Sequence, residues 1–143
     1  MTPFRLGMPV FFILMAPVLG VSAEPGDNPH PPATLPNSVS VNEMVIATDV
    51  RKLKPFGVNH DFPSTVGRLF CFTRVASPRA ETKIHHLWFY GDRLVQVVLL
   101  PVKGFNFRTY SFRPIPPEWT GSWRVDLTTE DGTLLESVSF TIR

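Results

Sequence analysis

The chain of 143 residues contains a single cysteine, Cys71. One thiol excludes an intrachain disulfide, a thiolate zinc cluster and a redox pair, so stability has to come from packing. An excess of one charge sign is also lacking: 14 Lys and Arg stand against 12 Asp and Glu. Only Arg5 falls within the first 23 residues, so the remainder carries 13 − 12 = +1. The basic residues are scattered between apolar segments, which leaves no basic stripe for nucleic acid. Catalytic signatures are missing as well, with no G-x-S-x-G, no H-E-x-x-H and no phosphate loop. The adjacent acids Glu130 and Asp131 stand beside Gly132 in a turn signal and have a backbone role there. His85 and His86 are neighbours on one strand, point to opposite faces and cannot easily share an ion. The expectation is no catalytic residue, no cofactor and no metal.

What is present begins with an export signal. Arg5 supplies the positive charge, Leu6 to Val21 an apolar stretch, and Val21-Ser22-Ala23 the small residues a signal peptidase needs. Pro9 and Pro17 interrupt the stretch and argue against a permanent transmembrane anchor. Residues 1–23 are therefore expected to be a cleaved signal peptide, with no stable membrane insertion afterwards and no cysteine placed for a lipid anchor. Residues 24–41 hold prolines at 25, 29, 31, 32 and 36 and almost nothing apolar, which reads as a semi-extended spacer. The remaining 42–143 suffice for one domain, with roughly two-thirds of its unfolded surface buried.

That domain has period-two patterning. Trp123, Val125 and Leu127 alternate with polar residues, as do Val138, Phe140 and Ile142, and Glu130-Asp131-Gly132 joins the two runs as a hairpin. Upstream, residues 43–50, 66–75, 83–90, 94–102 and 105–113 are rich in β-branched and aromatic residues and are punctuated by glycines. About seven short strands predict an all-β, immunoglobulin-like antiparallel β-sandwich.

Four groups of residues carry a family resemblance: Leu69-Phe70-Cys71-Phe72-Thr73; His86-Leu87-Trp88 with Tyr90-Gly91; Phe107-Arg108-Thr109 with Ser111; and Glu118-Trp119-Thr120-Gly121-Ser122-Trp123-Arg124-Val125. In their order and spacing the chain resembles a bacterial family of envelope domains catalogued as domain of unknown function 2914, over roughly Val45 to Ile142. The resemblance implies an exported setting and brings no reaction or ligand.

Candidate residues divide into core and surface. Trp123 follows the tight corner at Gly121 and is expected to plug the space between sheets, with Trp88 and Phe140 also in the core. Cys71 lies inside an apolar strand, where a thiol is inert packing. Trp119 precedes its strand in a loop primed by Pro116 and Pro117, free either to pack or to meet a partner. Alternation puts Arg108, Tyr110 and Phe112 on one strand face; turned outward, this is a docking surface. The alternative is a strand buried on both faces, with Arg108 paired to a carboxylate such as Asp49 or Glu118. The functional expectation is a non-catalytic periplasmic or secreted module that holds a protein or glycan of the cell envelope. The alternatives are a spacer domain without a ligand, and a hydrolase of unrecognised type.

Overall fold

The computed structural model describes residues 38–143, so the expected signal peptide and residues 24–37 of the spacer lie outside the described residues. Ten strands make up the rest: β1 (Ser40–Ala47), β2 (Asp49–Arg51), β3 (Lys54–Phe56), β4 (Asp61–Phe62), β5 (Arg68–Ala76), β6 (Glu81–Tyr90), β7 (Arg93–Lys103), β8 (Asn106–Pro114), β9 (Gly121–Thr129) and β10 (Leu134–Ile142). The seven long ones correspond one to one with the segments expected from alternation. Two sheets form the sandwich, in orders β1-β5-β8 and β4-β10-β9-β6-β7, and β2-β3 is a separate short ribbon.

Two elements depart from the sequence reading. The first strand stops at Ala47, and the chain turns back through Lys52 (φ 48°) and Leu53 (φ 54°) to pair β2 with β3. The two-residue β4 runs parallel to β10, pairing Asp61 with Thr141 and Phe62 with Ile142, so the larger sheet is mixed. Elsewhere the pairing is antiparallel, and turn chemistry explains the hairpins. Gly91-Asp92 closes β6 onto β7 with Gly91 at φ 56°. In the β9–β10 turn the Asp131 carboxylate accepts the Thr129 hydroxyl and, at 3.3 and 3.1 Å, the Thr133 N–H and O–H. These bonds hold its pKa below the usual carboxylate value, the Thr129 hydroxyl contributing most. The acid is there to build the turn.

The core fills the space between sheets. Ile46, Leu69 and Cys71 from the smaller sheet meet Trp88, Trp123, Val125, Phe140 and Ile142 from the larger. A second cluster holds Val39, Val75, Ile84, Val102 and Leu127. All three core aromatics expected from the sequence are buried: Trp88 at 0%, Trp123 at 1% and Phe140 at 2% exposure. Gly121 opens β9 at φ 107°, yet a Cβ added there would meet nothing within 4 Å. What the glycine supplies at this corner is therefore backbone freedom, not room for a neighbouring group.

Candidate binding surface

β8 orients the surface. Its inward residues include Ser111, buried at 4%, whereas Arg108, Tyr110 (38%) and Phe112 (49%) are exposed on the opposite side. On the neighbouring β5, Phe70 stands opposite Phe112, Phe72 opposite Tyr110 and Arg74 opposite Arg108, with Phe70 and Phe72 themselves buried at 7% and 1% exposure. The Phe70 ring lies 5.9 Å from Tyr110 and 5.7 Å from Phe112, and the Arg68 guanidinium covers Phe70 at 5.4 Å. Arg74 is turned to Glu43 at 3.7 Å, whereas Arg108 takes part in none of the ion pairs among the described residues. A β8 buried on both faces is thus set aside: Asp49 is occupied by Arg51 at 2.8 Å, and Arg108 is in solvent. The result is an aromatic strip bordered by arginines.

Phe70 and Phe72 were not among the candidate residues. β5 is buried on both faces, with Leu69, Cys71 and Thr73 toward the larger sheet and Phe70 and Phe72 on the other side, so alternation alone could not orient it.

Trp119 is placed differently from a free loop residue. It is half-buried, stacked on Tyr90 at 5.1 Å and 20°, and tilted against Trp123 at 5.9 Å. Its carbonyl accepts the Trp123 indole N–H at 3.0 Å, and Tyr90 Oη donates to the Thr120 carbonyl at 2.8 Å. These bonds fix the loop against the end of the core. Two guanidiniums lie over the same indole, Arg93 at 4.8 Å and Arg113 at 5.6 Å.

A buried polar chain crosses between the sheets below this surface. The Trp88 indole N–H donates to Ser111 Oγ at 3.0 Å, Ser111 Oγ is 2.7 Å from His86 Nδ1, and His86 Nε2 is 2.9 Å from Thr73 Oγ1. The neutral ring carries one N–H, so one of the two hydroxyls donates to it and the other accepts from it. Burial lowers the His86 pKa from 6.5 to about 4 and pushes the Cys71 thiol up to about 12. The histidine's partners stand on the facing sheet, Thr73 on β5 and Ser111 on β8. Although serine and histidine are adjacent, both are sealed, and no carboxylate orients the ring. Their geometry ties the sheets together and offers no route to a substrate.

His85 points the other way, its Nδ1 3.4 Å from the Thr129 carbonyl. Among the described residues no group of three or more His, Cys, Asp or Glu is gathered as a metal site. A cleft of about 620 Å³ lies beside β9 and β10, lined by His60, Asp61, Asp92, Arg124, Ser139 and Arg143 among others. Its two arginines are already paired, Arg143 to Asp61 at 3.0 Å and Arg124 to Asp126 at 2.9 Å.

Residues 81–142 match the family described as protein of unknown function, DUF2914. The DUF2914 segment runs from the first residue of β6 to the last of β10. It therefore includes Arg108, Tyr110, Phe112, Trp119 and the three core aromatics, while the Leu69–Thr73 portion of the resemblance falls outside it. No curated protein matches the chain. Among solved structures, a GH3 β-glucosidase from Bifidobacterium adolescentis aligns at 7% identity and a TM-score of 0.42, over 73% of this chain and 17% of that one. A mutant β-glucosidase from Listeria innocua in complex with laminaribiose aligns at 7% identity and a TM-score of 0.41, over 74% and 16%. The chain thus spans only about a sixth of either enzyme.

Proposed function

We propose that the domain is an exported, non-catalytic binding module of the bacterial cell envelope, and that it docks a protein on the outward face of β5 and β8. The observation that supports this most directly is the exposure of Tyr110 and Phe112 beside Phe70, with Arg108 free of any carboxylate among the described residues. Aromatic rings beside arginine are the composition of binding hot spots, and the rings lose little side-chain entropy on docking. Arg68 and Arg108 favour acidic residues on the partner.

Arg108→Ala and Tyr110→Ala are expected to weaken partner binding by about 1–3 kcal/mol each. Both side chains are exposed, so melting temperature should change little. The check is recovery of partner from envelope extract by the mature domain and each variant, alongside thermal melts. Undiminished recovery by both variants, or no specific partner at all, would leave the domain as a spacer.

Export is tested separately. Protein recovered from the periplasm is expected to begin at Glu24, which intact mass will show; a membrane-pelleting product that retains Met1 would overturn the proposed processing.

A further inference from the structure

Arg93 and Arg113 are an anomaly in the charge arrangement. Five ion pairs form among the described residues, and neither arginine is in any of them. Asp92 and Glu118, the acids beside Arg93 and Trp119 in the chain, pair with neither. Yet both guanidiniums converge on one indole, and Arg113 also lies 5.8 Å from the Trp123 ring. Convergence of like charges is unfavourable unless something offsets it.

The fold holds Arg113 in place. Its Nη1 donates to the Val95 carbonyl at 3.3 Å and to Gln96 Oε1 at 3.1 Å, while Nε is buried without a hydrogen-bond partner. Its pKa is lowered, first by burial and then by the charge of Arg93. Arg93 follows the Gly91-Asp92 turn and its backbone pairs with Tyr90, while its guanidinium forms no hydrogen bond with the described residues, so the planar fork is uncommitted. Stacking on Trp119 orients that fork without using its N–H groups. A partly desolvated cation beside a second cation is unfavourable alone and is stabilised by an anion that takes charge-assisted hydrogen bonds from both.

We propose that Arg93 and Arg113, stacked over Trp119, form a binding site for an oxyanion, a carboxylate or phosphate group carried by a ligand of the domain. Arg93 supplies the bidentate contact, and Arg113 supplies a fixed second charge. Trp119 is the platform that holds the fork and reports on it. The site is distinct from the docking face, since alternation along β8 puts Arg113 on the opposite side from Arg108.

The test is a titration of the mature protein with inorganic phosphate and, separately, with citrate, at constant ionic strength adjusted with sodium chloride. Tryptophan emission and melting temperature are the readouts. A saturable emission change with phosphate alone identifies a phosphate site, and one with citrate alone a carboxylate site; either supports the proposal. Arg93→Gln is expected to weaken the apparent affinity at least tenfold. Lys103→Gln, an exposed lysine at the far end of β7, should titrate as the wild type does. Without anion, Arg93→Gln should melt at or slightly above the wild type, because a like charge is removed and no ion pair is lost. No saturable response to either anion would overturn the proposal. So would an unchanged affinity in Arg93→Gln, or a melting temperature lower by more than about 5 °C without anion, which would make Arg93 a cover for the indole instead.

Discussion

Trp123→Ala is expected to lower the unfolding free energy by about 3–5 kcal/mol, the largest effect of any single truncation discussed for this domain. The indole is 1% exposed and occupies the middle of a row of rings across the inner face of the larger sheet. It pairs in register with Tyr90 on β6 and Phe140 on β10, at centroid distances of 5.0 and 5.9 Å. Removal would leave a cavity lined on both sides by rings that cannot close it, because neighbouring strands fix their positions. The Trp119 carbonyl would also lose its indole donor. For a domain with a total stability of about 5–15 kcal/mol, such a loss approaches unfolding. Trp119→Ala removes a half-buried ring from the edge of the same row and is expected to cost about half as much. Urea melts of both variants are the check. Equal losses would place the centre of the aromatic row at Trp119.

The second large effect is an acid sensitivity centred on His86. Folding keeps this ring neutral: its pKa falls from 6.5 to about 4 because burial penalises the charged form. As pH is lowered, the unfolded chain takes up the proton first, near pH 6.5, and the folded protein only near pH 4. The contribution is therefore intact above about pH 6.5 and is lost progressively as pH falls through the folded value. The whole interval corresponds to about 3 kcal/mol. His86→Gln keeps donor and acceptor groups at this position but does not titrate. Denaturant melts of wild type and variant at pH 7.5, 5.5 and 4 would isolate the effect, since the carboxylates contribute to both. The stability difference between the two proteins should shrink by about 3 kcal/mol across that range. Parallel pH profiles would show that His86 is not the group responsible.

Most of the long strands were legible because they have one buried face and therefore alternate, whereas β5, buried on both faces, was legible from its run of apolar residues. Trp123, Val125 and Leu127 turned inward as their pattern requires, and the Gly91-Asp92 and Glu130-Asp131-Gly132 turns fell where those residue types direct. The short strands were not legible. β2, β3 and β4 have two or three residues each, too few to show a period, and β4 exists only because Phe62 pairs beside Ile142. The candidate surface was half visible: alternation grouped Arg108, Tyr110 and Phe112, but their outward direction is set by packing against the second sheet. Trp119 was less visible still. Its position depends on Tyr90, Arg93 and Arg113, which come from three other strands or their ends, and no local pattern encodes their meeting. The same holds for His86, whose partners Thr73 and Ser111 are 13 and 25 residues away.

The parallel pairing of β4 with β10 bears on how quickly the native state can be reached. Arg143 returns to Asp61 across 82 residues, and the His60 ring meets the Ser139 carbonyl across 79. Contacts of such sequence separation carry their loop-closure entropy before they return any stability, and domains dominated by them fold in milliseconds to seconds, not microseconds. Phe62, Phe140 and Ile142 cannot be buried together until that loop has closed. A nascent chain in which β10 has not yet emerged can already pair β9 with β6 and β6 with β7, but one edge of β9 stays open and β4 has no strand to pair with.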